Sequence, residues 1–259
     1  MKLYIRINNK NFLVEKNILF WKNFKQKRGE SINFKIYKYF INKNTNYYDL
    51  GAWIGPTILI AASLSPKKIY GFEPDLKAFK ELKENVFLNK NKLKENLVKI
   101  YNKAAYINNK KIKLNIPNGE HGASVSSLLR SKKKYYESKI IKSINFLTFS
   151  KNKRLCNNDF IKIDIEGGEY KFLPFIESLL RKKSPNIYLS LHPFLIDNFF
   201  NKIIQTNKLL FSLRSYKYVY RVKKNSIITS KWLSFFLRFG IPVLWTVRHS
   251  LILTNKKIV

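Results

Sequence analysis

The chain has 259 residues, 45% of them hydrophobic and 15% aromatic, which excludes a disordered chain and suits one α/β domain with additions. Its 50 Lys+Arg against 16 Asp+Glu give a formal charge of +34, so partners with negative charge have to be weighed. A single cysteine, Cys156, excludes an internal disulfide framework and a cysteine-only metal site.

Residues 1–43 mix polar and aromatic groups without a strong period and read as an N-terminal cap with one or two short elements. The main domain, 44–259, then alternates strands and helices. Tyr47–Leu50 ends a first strand, and Pro56–Leu64 suits a helix that opens after a glycine turn, with proline tolerated in its first turn. Lys68–Glu73 is a second strand. Pro74–Asn89 is a helix, because Leu76, Phe79, Leu82, Val86 and Phe87 recur at three- and four-residue spacing, with Asp75 in its first turn. Leu97–Tyr101 is a third strand.

Residues 103–150 read as an insertion, with a hairpin strand at Lys111–Ile116, a turn-rich loop at Pro117–Gly122, and Ser124, Ser126 and Ser127 after it. Phe160–Ile165 is a strand, Tyr170–Leu180 a helix despite Pro174, and Asn186–His192 a strand. Phe211–Val222 and Ser250–Thr254 read as final, antiparallel strands. Between them, 223–248 carries the most apolar stretch, Trp232–Val247. Arg238 and Gly240-Ile-Pro242 interrupt it, and it is shorter than the roughly 20 residues of a spanning helix. Core packing is its expected role, with membrane-surface contact as the alternative.

This alternation predicts a mostly parallel sheet with helices on both faces, and right-handed crossovers put the carboxyl ends of its parallel strands on one edge. Ligands bind beyond such an edge. The scarce acids Asp49, Glu73, Asp75, Asp164, Glu166 and Glu169 fall there, as does His192.

Asp49-Leu-Gly-Ala-Trp-Ile-Gly55 is a strand-to-helix turn, and Glu73 ends the next strand, where an acid accepts both hydroxyls of a ribose. A dinucleotide site would want Gly-x-Gly-x-x-Gly to seat a pyrophosphate. This turn lacks the middle glycine and sets a carboxylate beside the loop, where it would repel phosphate. A cofactor with a cationic end and no phosphate suits it better, and S-adenosylmethionine fits that description. A tight turn alone would also account for the glycines, and a helix start would account for Glu169. Asp164 ends an apolar strand, where an unpaired carboxylate would be costly.

Tyr48-Asp-Leu-Gly-Ala-Trp-Ile-Gly55, Gly71-Phe-Glu-Pro74, Leu82-Lys-Glu-Asn85 with Asn89, Asn102-Lys-Ala104, the Gly122–Leu128 serine segment and Phe160-Ile-Lys-Ile-Asp-Ile-Glu-Gly-Gly-Glu169 follow in order. Together they resemble the FkbM-type S-adenosylmethionine-dependent methyltransferases over about residues 45–192. The resemblance implies a class I methyltransferase, Rossmann-like fold with a seven-stranded, mostly parallel sheet. It also implies methylation of hydroxyl oxygens, often on sugars or polyketide-type products. Carried over by position, Asp49, Gly51, Ala52 and Gly55 would line the methionine and ribose side, Glu73 would hold the ribose hydroxyls, the Asn102–Ala104 turn would approach the adenine, and Asp164 would lie near the methyl group. The family often has Asn where this chain has Trp53, so Trp53 is expected to pack over the cofactor instead.

Methyl transfer to oxygen needs the acceptor aligned with the methyl and relieved of its proton. Of the three histidines, His121 lies in the insertion, His249 near the C-terminus, and His192 at the active edge, so His192 is the candidate base, with a core or capping histidine as the bland reading. A metal-free site is expected, and the alternative is a divalent ion on Asp164, Glu166 and His192.

The favoured acceptor is a hydroxyl-bearing small molecule or glycan. An RNA ribose is the alternative that the charge supports. Of the basic residues, however, 41 are Lys and 9 are Arg, and 28 residues are Asn, a composition that A/T-rich codons impose without selection for polyanions. Arg, the residue of bidentate phosphate and base recognition, is the scarce one. The lone cysteine and an N-terminus without a long apolar core fit a cytoplasmic protein.

Overall fold

The computed structural model describes residues 2–26, 32–117, 136–223, 226–229 and 249–258. His121, the serine segment after it and Trp232–Val247 lie outside them.

The N-terminal region holds four elements rather than one or two: an antiparallel hairpin of β1 (Lys2–Ile7) and β2 (Lys10–Glu15), then helices α1 (Ile18–Gln26) and α2 (Ile32–Phe40). The hairpin alternates, with Ile5, Ile7, Phe12 and Val14 buried and their neighbours more exposed. Next come β3 (Asn46–Leu50), α3 (Pro56–Ser63), β4 (Lys68–Phe72), α4 (Leu76–Phe87) and β5 (Val98–Tyr101). The 103–150 stretch contributes β6 (Ala104–Tyr106), β7 (Lys111–Pro117) and β8 (Tyr136–Asn145), a separate three-stranded sheet, and then α5 (Phe146–Asn152). The chain continues through β9 (Phe160–Ile163), α6 (Glu169–Phe175), α7 (Glu177–Lys183), β10 (Asn186–Leu191), α8 (Phe199–Ser212), β11 (Tyr218–Lys223), β12 (Ser226–Thr229) and β13 (His249–Thr254).

The main sheet has the order β12-β11-β13-β10-β9-β3-β4-β5. β10, β9, β3, β4 and β5 pair in parallel, and β13 enters antiparallel between β10 and β11. These are the seven strands of a class I methyltransferase sheet, with β12 added as a short eighth at the edge. Each face carries its own apolar layer. One joins Leu50, Ile163 and Leu189 to Phe146, Phe172 and Leu210. The other joins Tyr47, Phe160 and Tyr188 to Ile58, Leu82, Trp21 and the hairpin. Strand alternation assigns these faces, and helices therefore cover both.

Two expected elements are corrected. Phe211 and Ser212 end α8 and do not start a strand, and β11 begins at Tyr218. The Asn198 side chain caps α8 by accepting from Phe200 N and Asn201 N, and Thr206, Leu209 and Leu210 form its buried stripe. The helix expected at Tyr170–Leu180 is two helices. Pro174 has no N–H to continue the ladder, and the break comes at Ile176, whose N–H reaches Phe172 O and Leu173 O. Among the described residues, no helix is long and apolar enough to cross a membrane.

Candidate active site

The carboxyl ends of β3, β4, β9 and β10 lie along one edge because these strands run parallel. Asp49 and Lys162 are register partners on β3 and β9 and point to the same face, beneath the edge. Lys162 Nζ donates to Asp49 Oδ1 at 3.1 Å and to Gly51 O at 2.7 Å, and it lies 3.6 Å from Asp164 Oδ2. The Thr57 hydroxyl donates to Asp49 Oδ2. Each oxygen of Asp49 thus accepts a hydrogen bond from inside the protein. Asp49, expected on the methionine and ribose side, lies within β3, fully buried on the sheet face beneath the turn. Burial raises the Asp49 pKa above its ordinary value, against the pull of Lys162 and Thr57. Burial alone would lower that of Lys162, but Asp49 and Asp164 overcome it and hold the ammonium above its ordinary value.

Gly51 has φ 85°, and a Cβ there would stand 2.0 Å from Asp164 O. The glycine is demanded by the chain leaving β9, whose Asp164 N–H also bonds Leu50 O at 3.0 Å. Gly55, with φ 98°, caps α3, and a Cβ there would press on Leu82. Ala52 is buried, with its N–H on Phe72 O at 2.9 Å. Its side chain packs inward.

Glu73 stands just past β4. Trp53 N–H donates to its Oε2 at 2.9 Å and Asp75 N–H to its Oε1 at 2.8 Å. A carboxylate oxygen has two lone pairs, so each retains one for a vicinal hydroxyl. Burial pushes the Glu73 pKa up to about 7, against those two N–H groups. Asp75 caps α4 by accepting from Lys77 N and Ala78 N. Asn102 Nδ2 donates to Glu73 O at 2.9 Å and Pro74 O at 3.2 Å, so this side chain fixes the exit of β4 while Ala104 starts β6. The Trp53 ring meets Phe20 of α1 edge to face at 4.6 Å.

The fourth cluster follows β9 and β10. Glu169 is fully buried, and its Oε1 accepts from His192 N at 2.8 Å and faces Nδ1 at 3.1 Å. The far nitrogen, Nε2, lies 3.5 Å from Asp164 Oδ1 and 3.4 Å from Glu166 Oε1. Burial opposes a charged ring, but Glu169, Glu166 and Asp164 together raise the His192 pKa above its ordinary value. Glu166 reaches this position from a left-handed backbone, φ 46°, which few non-glycine residues adopt.

Asp164 and His192 therefore meet as expected, but the His192 side chain is 0% exposed and that of Asp164 30%. Of the pair, the carboxylate is the more accessible and the ring, expected to act as base, is enclosed. The sequence reading also passed over Lys162. A lysine inside the apolar run Phe160-Ile-Lys-Ile163 was the signal, since a buried ammonium requires a partner. A cavity of about 490 Å³ lined by Cys156, Lys182 and Asn186 opens near the start of β10 and lies away from these acids.

The family model for the methyltransferase FkbM domain matches residues 49–220, more than half of the chain. Among solved structures, methyltransferase FkbM from Methylobacillus flagellatus KT is similar with a TM-score of 0.50 at 14% identity, covering 82% of this chain and 44% of that one. This chain thus spans less than half the length of that protein. An rRNA methylase from Streptococcus thermophilus has a TM-score of 0.45 at 8% identity, covering 87% of this chain and 95% of its own. TYW2 from M. jannaschii, solved in complex with AdoMet, has 0.43 at 15% identity, covering 97% and 84%. No curated protein matches the chain.

Proposed function

The chain belongs to the FkbM methyltransferase family, and from that membership we propose that it moves a methyl group from S-adenosylmethionine to a hydroxyl oxygen of a sugar, glycan or small metabolite. The observation that carries this reading is Glu73. It is a buried acid beside the glycine turn with one lone pair per oxygen left over, matched to the two hydroxyls of a ribose.

The donor set fits the cofactor. The ammonium nearest the turn, Lys162, is turned inward onto Asp49 and Gly51 O and is not offered to a phosphate, while Asp164 presents negative charge at the edge. Glu73, the backbone of Gly51–Gly55 and the Asn102–Ala104 turn would hold the nucleoside. S-adenosylmethionine, when bound, supplies a methyl group on a cationic sulfur.

The chain's own residues handle the proton. Asp164 is the solvent-facing carboxylate of its cluster and receives the hydroxyl proton as the oxygen takes the methyl. Lys162 steadies Asp164 from beneath, and Glu169 fixes the ring of His192 behind it. The abundance of lysine keeps an RNA ribose as a second acceptor class.

Incubation of the full chain with labelled S-adenosylmethionine and a panel of glycans and hydroxylated metabolites, read by mass spectrometry, tests the reading. A mass gain of one methyl group on a hydroxyl supports it. Absence of cofactor binding by calorimetry overturns it. Ribose methylation with steeply salt-dependent RNA binding transfers it to nucleic acid.

A further inference from the structure

Three side chains converge at the end of the cofactor edge: His192 from the end of β10, and Asp164 and Glu166 from the loop after β9. One ligand atom from each lies within 4.8 Å of the others. A group of acids is not by itself a site, since carboxylates gather at many edges. The histidine is what distinguishes this group.

The His192 side chain is fully buried and held at both of its near atoms by one carboxylate, Glu169, which accepts the backbone N–H at 2.8 Å and faces Nδ1 at 3.1 Å. That contact fixes the ring plane and aims Nε2 at Asp164 and Glu166. Nε2 finds no hydrogen-bond partner among the described residues. Its distances to the two carboxylates, 3.5 and 3.4 Å, exceed the roughly 2.7–2.9 Å of a charge-assisted hydrogen bond. They match the separation of ligands that share one ion: bonds of about 2.1 Å at tetrahedral or octahedral angles place donors about 3.0–3.5 Å apart. A carboxylate on the distal nitrogen of a ligating histidine is the usual outer support of such a site.

We propose that Asp164, Glu166 and His192 bind one divalent first-row cation, with Glu169 as the residue that positions the histidine. One imidazole and two carboxylates are a mixed set that suits Mn²⁺ and similar ions. Three protein ligands leave further coordination positions for water or a substrate oxygen. An acceptor hydroxyl taking one of those positions would be acidified by the ion, and its proton would leave to water. This catalytic use rests on the methyltransferase reading, but occupancy of the site does not.

Chelator-treated full-length protein titrated with Mn²⁺ alone, followed by electron paramagnetic resonance, tests the site. One saturable ion per chain is expected. His192→Ala and Glu166→Gln should abolish saturation in the accessible range, and Glu169→Gln should weaken binding about ten- to a hundredfold. Because Glu169→Gln can disturb packing, the half-buried Asp164→Asn is the second variant, with thermal unfolding as the folding control. Absence of saturable binding, or binding that survives both Glu166→Gln and Asp164→Asn, overturns the proposal. S-adenosylmethionine binding measured on the same metal-free protein separates the two readings. Cofactor binding without Mn²⁺ binding removes the metal site alone, and Mn²⁺ binding without cofactor binding removes the methyltransferase reading alone.

Discussion

Lys162 Nζ donates to Asp49 Oδ1 at 3.1 Å across the β3–β9 pairing, although 113 residues separate them in the chain and both side chains are withdrawn from solvent. The pair occupies the sheet face directly under the glycine turn and ties its carbonyl at Gly51 to the strand that delivers Asp164.

Lys162→Met should therefore lose about 3–5 kcal/mol, because the Asp49 carboxylate stays buried without its cation. Combining it with Asp49→Leu should cost less than the sum of the two single changes. Urea denaturation of the four chains measures the coupling, and strictly additive losses would count against it.

Gly51→Ala should destabilise the chain by about 3 kcal/mol or more, since its Cβ would fall 2.0 Å from Asp164 O at a left-handed backbone position. The obstacle is the backbone of Asp164, so turnover should fall further than cofactor affinity. Calorimetry and initial rates on one preparation separate these effects.

Glu73 gives the binding reaction a pH dependence. Its folded pKa of about 7 lies above the ordinary 4.5, so in that window the folded chain holds a proton that the unfolded chain has released. Stability from this group is lost as pH rises through the window. Cofactor binding, which uses the ionised acid as a double acceptor, should instead tighten by about tenfold between roughly pH 6 and pH 8. Both slopes should flatten in Glu73→Gln.

Asn89 fastens the N-terminal hairpin to α4. It accepts Leu13 N–H at 2.8 Å and donates to Leu13 O and Asn85 O, each at 2.7 Å. Asn85 repeats the device on Glu15 N and Ile54 O. Asn89→Ala should cost about 2–4 kcal/mol and speed amide exchange at Leu13 before it affects β3 or β9. Equal exchange in both chains would deny Asn89 this role.

The alternating core from β3 to β5, with β9 and β10, was legible in the sequence because each element there is short, apolar and bounded by turn residues. α8 was not, because four of its apolar residues, Phe199, Phe200, Ile204 and Phe211, stay exposed and do not mark the stripe that is buried. β8 escaped notice because its residues Tyr136–Asn145 are mostly polar, and its pairing with β7 and β6 is a tertiary fact. At the site, Glu73 could be read from its place after a strand. The commitment of Asp49 to Lys162 could not, since it depends on which strands become neighbours. Glu169 looked like a helix-start acid, and its hold on His192 emerges only when β10 lies beside β9.

The edge-to-face contact of Trp53 with Phe20 has a practical consequence for anyone dissecting this protein. The backbone N–H that anchors Glu73 belongs to a residue whose ring is braced by α1, yet the family match begins only at residue 49. An expression boundary drawn at that match would remove Phe20 and Trp21, along with the hairpin clamped by Asn85 and Asn89, and open one apolar face of the sheet to water. For truncation, expression or grafting, the smallest unit worth making begins with β1.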